Sequence, residues 1–247
     1  MAKITTKTRA IVLQSIKYGD SSLVVKMLTE ELGLQSYMVK GVYGKKSKMK
    51  SALFQNMTLL NIVAESSNSS LGFIKEISLS HCYQSATTDI KKSTIMIFVS
   101  ELLSKSIAET ESDEALFNFI YNSMLWLDDA TSDYANFPVV FAMQLSKYLG
   151  FFPNLDTYSE ELCFDLLDGN FKKWSNDIYQ IDNKLSKMFL LICQQSFLNN
   201  TLTDSENLRI CDLNSRRKLL DAVVTYYKLH ADNVRDIKSI DVLREIF

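Results

Sequence analysis

Five lysines stand within eleven residues, at Lys40, Lys45, Lys46, Lys48 and Lys50, with no acid among them and one aromatic, Tyr43. Cations at this density repel one another and favour an extended, solvated segment. Against a polyanion they displace condensed counterions, so the chemistry they suit is contact with phosphate without reading of the bases. Tyr43 adds a ring on which a base can stack. The same run also serves as an ordinary solvated loop, and charge alone does not separate the two.

The elements that hold this segment divide the chain. Residues 1–80 carry eleven Lys and Arg against five Asp and Glu, while residues 81–247 carry sixteen against twenty-four, within a chain whose net charge is −2. A basic first part and an acidic remainder point to two domains with different partners. The first part reads as β. Apolar, β-branched runs at 8–17, 22–29, 34–40, 57–64 and 73–79 are separated by turn signals such as Tyr18-Gly19-Asp20 and Glu65-Ser-Ser-Asn-Ser-Ser70. Five short strands in so few residues predict a small barrel, with a turn of helix between 51 and 56. Tyr37 and Phe54 are assigned to its core, and Arg9 and Lys26 are added to the lysines as weaker phosphate contacts.

From about residue 85 the apolar period becomes helical. Ile90, Ile97, Phe98 and Leu102 share one spacing; Ser112 is placed as cap of a helix beginning Asp113-Glu114; Pro138 suits a first turn and Gly150 a stop. Two amphipathic helices follow at 184–198 and 215–230, with a short one at 239–246. Residues 154–181 are turn-rich and read as a hairpin-like insertion. The predicted fold class is therefore α+β: a five-stranded barrel over 1–80, then an all-α domain over 81–247.

Several chemistries lack their residues. There is no GxxxxGK[ST], no GxGxxG and no HExxH, and only His81 and His230 are available as imidazole bases. His230 is read as capping a helix end or half-buried. Adjacent acids such as Asp128-Asp129 diverge on a helix and do not converge on one ligand. Cys82, Cys163, Cys193 and Cys211 form no CxxC pair and are read as buried, reduced thiols. No metal, cofactor or catalytic residue is assigned, and an enzyme is the weaker class. No apolar run nears the ~20 residues of a membrane span. The first residues lack an apolar signal region, so a cytoplasmic protein is expected.

Taken in order, several short stretches resemble the RecO family of recombination mediators. They are Ala10-Ile-Val-Leu13 with Tyr18-Gly-Asp-Ser-Ser-Leu23, Leu28-Thr-Glu30 with Gly33, and Lys40-Gly41 followed by Ala52-Leu53, Phe54-Gln55 and Thr58-Leu-Leu60. Near the other end lie Leu219-Leu220, Tyr226-Tyr227, Leu229-His230 and Lys238-Ser-Ile-Asp-Val-Leu243. The resemblance implies an oligonucleotide/oligosaccharide-binding (OB) barrel that contacts single- and double-stranded DNA, and annealing of complementary strands. It also implies partnership with RecR in loading RecA onto strands coated by single-strand-binding protein (SSB), with RecF a further possible partner, in a bacterial, nucleoid-associated setting. An acidic, apolar SSB tail needs an apolar pocket beside a cation; the triple Arg216-Arg217-Lys218 is the candidate, with pairing to Asp212 or Asp221 as the alternative. Many RecO proteins hold zinc on four cysteines in the insertion. This chain has only Cys163 there, so it resembles a zinc-free branch whose insertion is held by Leu162, Phe164, Leu166, Phe171 and Trp174. Three other readings stay open: an OB adaptor acting through protein contacts, an RNA-binding OB protein, and a nuclease using Asp165 and Asp168.

Overall fold

The computed structural model describes residues 5–43, 51–65, 71–108, 111–132, 134–195 and 212–246. Strands β1 (Thr5–Tyr18), β2 (Ser22–Thr29), β3 (Gly33–Val39), β4 (Leu59–Glu65) and β5 (Gly72–Leu79) close into a barrel in the order β1-β2-β3-β5-β4, with β4 returning to β1. Every pairing is antiparallel except β3 with β5, which is parallel through Tyr37–Gly72 and Met38–Phe73. A Cβ on Gly72 would lie 2.9 Å from the Tyr37 ring, so this closure requires the glycine.

Side-chain alternation gives the barrel two faces with different fates. Ala10, Val12, Val25, Met27, Tyr37, Val39, Leu60 and Ile62 fill the interior, where Phe54 enters from a 3-10 turn at Ser51–Phe54. Tyr37 and Phe54 are thus core residues, as their sequence context predicts. Ile11, Leu13, Leu28 and Leu34 point outward and join the core of the helices. A register shift between Val12 and Gln14 exchanges the faces of β1. Beyond it Ser15 and Lys17 lie opposite the inward Val25 and Leu23, while Ile16 and Tyr18 turn outward.

The described helices are α1 (Ile90–Ser106), α2 (Glu114–Asp129), α3 (Phe137–Tyr148), α4 (Asn183–Gln194), α5 (Leu213–His230) and α6 (Ser239–Ile246). Helix α3 runs through the middle; Phe137, Val140, Phe141 and Leu145 are all buried. The cap of α2 is Asp113, not Ser112: Asp113 holds the extended backbone of a capping position, and its carboxylate accepts from Leu116 N at 2.9 Å. Helix α1 lies on β1, where the Ser100 hydroxyl donates to Leu13 O at 2.6 Å. The link from barrel to helices is held by Asp128, which accepts from the backbone N–H groups of Gln84, Ser85 and Ala86 and bonds His81 Nε2 at 2.9 Å. Burial pushes the Asp128 carboxyl up, but these hydrogen bonds outweigh it and hold the group well below the usual carboxylate range.

The insertion contains a two-stranded hairpin, β6 (Cys163–Asp165) and β7 (Asn170–Lys172). Phe164, Leu166 and Phe171 are buried, and Phe164 stacks on Phe189 of α4 with centroids 4.3 Å apart. Trp174 departs from its predicted core role and is 52% exposed, because it lies beyond β7 where the chain leaves the packed side of the hairpin. His230 ties the insertion to α5 through Nε2 and Leu166 O, 2.9 Å apart. Cys163 and Cys193 are buried and free; Cys82 is exposed, contrary to its predicted burial, since it sits on the irregular link between the domains. Cys211 lies outside the described residues.

Candidate nucleic-acid interface

One end of the barrel gathers the described part of the basic segment. Val42 N donates to Ser21 O at 2.9 Å and the Val42 side chain is buried in the barrel core. That anchor fixes the flanking residues outward: Lys40 is exposed and Tyr43 is 51% exposed. Lys17 Nζ lies 5.9 Å from the centre of the Tyr43 ring, and Lys40 Nζ 5.9 Å from that of Phe73. Both are cation–aromatic pairs at the outer limit of that interaction, leaving ring faces and charges open to a further partner. Lys45, Lys46, Lys48 and Lys50 lie outside the described residues.

A feature with no trace in the linear sequence lies beside Lys40. Ile16 is opposite Val24, Val24 opposite Met38, and Met38 opposite Phe73, so four apolar side chains form one row across β1, β2, β3 and β5. The row belongs to neither hydrophobic core. Ile16 is 55% and Phe73 36% exposed, and Tyr18, 60% exposed, stands next to Ile16 on the same face. Phe73 is in turn opposite Glu65, whose carboxylate is paired with Lys75 Nζ at 2.7 Å.

Arg9 and Lys26 are placed elsewhere. The Arg9 guanidinium bonds both oxygens of Glu30, Nε to Oε2 at 2.8 Å and Nη2 to Oε1 at 2.5 Å, and lies 5.2 and 4.7 Å from the ring centres of Phe117 and Tyr121 on α2. The hydrogen bond to Arg9 holds Glu30 below its ordinary value, and the reciprocal bond raises Arg9. Lys26 Nζ donates to Ser104 O of α1 at 3.3 Å. Both cations serve the seam between barrel and helices, so neither joins the lysines at the barrel end.

The basic triple on α5 borders a small apolar pocket. Arg216 and Arg217 line it with Ala135, Pro138, Val139, Leu220 and Leu243, and Arg244 of α6 completes the rim. Lys218 is exposed and does not line it. The predicted acid partners are engaged differently: Asp212 caps α5 through Ser215 N at 2.8 Å, and Asp221 pairs with Arg244, while Arg216 Nε donates to Asn136 Oδ1 at 2.9 Å. Asp165 and Asp168 are both held by Lys172. Among the described residues no three His, Cys, Asp or Glu side chains are grouped as a metal site, and no helix is long and apolar enough to cross a membrane.

Residues 1–83 match the family described as "Recombination protein O N terminal", and residues 87–176 match "Recombination protein O C terminal". Proteins named "DNA repair protein RecO" are similar along nearly the whole chain. That of Flavobacterium psychrophilum is 35% identical over 243 residues, 98% of each chain. That of Christiangramia forsetii is 37% identical over 244 residues, 97% of this chain and 98% of its own. That of Bacteroides fragilis is 34% identical over 246 residues, 98% of each.

Proposed function

The chain belongs to the RecO family of DNA repair proteins, and on that premise we propose that it is a non-enzymatic recombination mediator whose barrel binds DNA. The observation that carries this is the exposed pair Lys40 and Tyr43 at the barrel end, leading directly into the lysines at 45, 46, 48 and 50. Residues 1–80 act as the nucleic-acid unit and residues 81–247 as the unit for protein partners.

Two complementary strands resist pairing because their phosphates repel. A surface that screens that charge and holds bases unstacked lowers this barrier, and no nucleotide hydrolysis is involved. The lysines supply the screening, and Tyr43 offers a ring to a base. The dimple between α3, α5 and α6 offers an acidic, apolar peptide end a shallow apolar seat at Ala135, Pro138 and Leu220, with Arg216 and Arg217 at its rim to meet carboxylates and Arg244 held beside them by Asp221. The SSB tail has this chemistry. With RecR, and with RecF where it takes part, such a protein opens SSB-coated strands to RecA. The setting is the bacterial cytoplasm at the nucleoid.

The test is annealing of complementary strands precoated with SSB, in EDTA and without nucleotide. The proposal expects annealing at a rate that rises with protein and falls for Lys40→Glu. Annealing that requires a metal or ATP contradicts it.

A further inference from the structure

We infer that the outer face of the insertion, where Leu167, Trp174 and Ile178 stand exposed among carboxylates, docks the basic, apolar barrel end of a second copy of this chain. The same barrel end binds DNA in the reading above, so DNA and the second copy compete for it. That competition alone rests on the DNA-binding reading.

The face is built by pairing around β6. Asp165 is opposite Gln180, and Leu166 N donates to Tyr179 O at 2.8 Å, so Leu167 comes opposite Ile178. Residues opposite one another in an antiparallel pair share a face, and so do residues two apart on one strand. Leu167, Ile178 and Gln180 therefore point the same way. On that side the Gln180 amide accepts from Ser175 N through Oε1 at 2.8 Å and donates to Lys173 O through Nε2 at 3.1 Å. These bonds lay the chain at 173–175, and Trp174 with it, over the same face. Ile178 is 87% exposed, Leu167 and Trp174 are half exposed, and none of the three joins the helical core. Single exposed apolar side chains carry no message, but a group of large ones on one face marks a contact surface.

The charge around the face selects the occupant. Residues 154–181 hold six Asp and Glu against two Lys. Lys172 is held between Asp165 and Asp168, while Asp156, Glu161 and Asp177 are exposed. Such a face repels a polyanion and attracts a surface that is both cationic and apolar. The barrel end is that surface. Lys40 is exposed with Nζ 5.9 Å from the Phe73 ring centre, Ile16 and Tyr18 are exposed on the same end, and residues 40–50 hold five lysines and no acid. Since the two patches differ, the contact runs head to tail: each copy docks one neighbour by its barrel and another by its insertion. A DNA strand lying on Lys40 covers the same surface and releases the neighbour.

Sedimentation velocity of the full chain over a concentration series, at low and at high salt, tests this. Wild type is compared with an insertion variant, Glu161→Lys/Trp174→Ser/Ile178→Ser, and a barrel variant, Ile16→Ser/Lys40→Glu, with folding checked by thermal denaturation. Wild type should grow beyond the monomer with concentration at low salt and return to it at high salt. Each variant alone should associate about tenfold or more weakly. Mixed in equal amounts the two variants should form a pair and stop there, because one keeps the barrel end and the other keeps the insertion. An oligo-dT strand added to wild type should dissolve the assembly. Wild type that stays monomeric at low salt overturns the inference and leaves the insertion face to a different, basic protein. A variant that associates as wild type does, or a mixture that does not pair, overturns it as well. Oligo-dT that binds by anisotropy without dissolving the assembly overturns the competition. Oligo-dT that does not bind removes the DNA reading and leaves the docking of copies standing.

Discussion

The Glu101 carboxylate on α1 accepts from both the backbone N–H and the hydroxyl of Ser239, the first residue of α6, at 2.8 and 2.6 Å. It also accepts from Lys238 N and from Lys105 Nζ. One acid thus caps a helix 138 residues away, and negative charge at a helix N-terminus is favourable. Helix α6 supplies Leu243 and Arg244 to the apolar pocket, so Glu101 fixes one wall of the proposed peptide site.

A pH dependence follows. Burial raises the Glu101 carboxyl, but the hydrogen bonds from Lys105, Ser239 and Lys238 outweigh it and bring it down to about 2 from an ordinary 4.5. A carboxyl depressed on folding stabilises fully above its unfolded value and loses that contribution as pH falls from about 4.5 toward 2. Glu101→Gln is expected to cost about 1–2 kcal/mol at pH 7. Urea unfolding of both proteins should show the difference shrinking below pH 4.5; a constant difference down to pH 2 contradicts the capping account.

Arg9→Ala should separate seam from site. It removes the bonds to Glu30 and Asn118 and the stacking on Phe117 and Tyr121. A loss of about 1–3 kcal/mol in stability is expected, with single-strand affinity unchanged where the variant is folded. A selective loss of DNA affinity with stability intact would return Arg9 to the interface.

The insertion is held by packing. Phe164→Ala should cost about 3–5 kcal/mol, since Phe164 is fully buried among Phe171, Phe189 and Tyr226. Prolonged EDTA treatment should leave the thermal midpoint of wild type unchanged. A fall in the midpoint that zinc restores would contradict a packing-only insertion.

For the pocket on α5, Arg217→Glu should weaken binding of an acidic, apolar peptide about tenfold, through loss of a cation and introduction of a like charge. Isothermal titration with an SSB tail peptide checks this, and oligonucleotide affinity of the same variant should stay unchanged. Equal peptide binding by both proteins removes Arg217 from that site.

Much of the fold was legible because local signals agree with it. The run at 22–29 and the turn at Tyr18-Gly19-Asp20 predict β2 and its hairpin, and Pro138 with Gly150 brackets α3. What stayed hidden depends on long-range register. The outer row exists only because β1 shifts register after Val12 and β3 meets β5 in parallel, and neither event has a local sequence signature. Arg9 looked available for phosphate because nothing near it in the chain reveals Glu30, Phe117 and Tyr121 as its partners. Trp174 looked like core because apolar type does not tell which side of a three-residue strand the following chain takes. The basic triple was visible, but its pocket needed Pro138, Val139 and Leu243 from two other helices.

The most direct test of the central claim, that DNA binds at the basic end of the barrel, is anisotropy of a labelled single strand across a salt series, for wild type and Lys45→Glu/Lys46→Glu. The account predicts tight wild-type binding whose log Kd rises steeply with log salt. It also predicts that the variant binds more weakly, with a slope shallower by about 0.7 per lysine removed. An unchanged slope takes these two lysines out of the site, and negligible wild-type binding even at low salt would make the barrel a module for protein contacts.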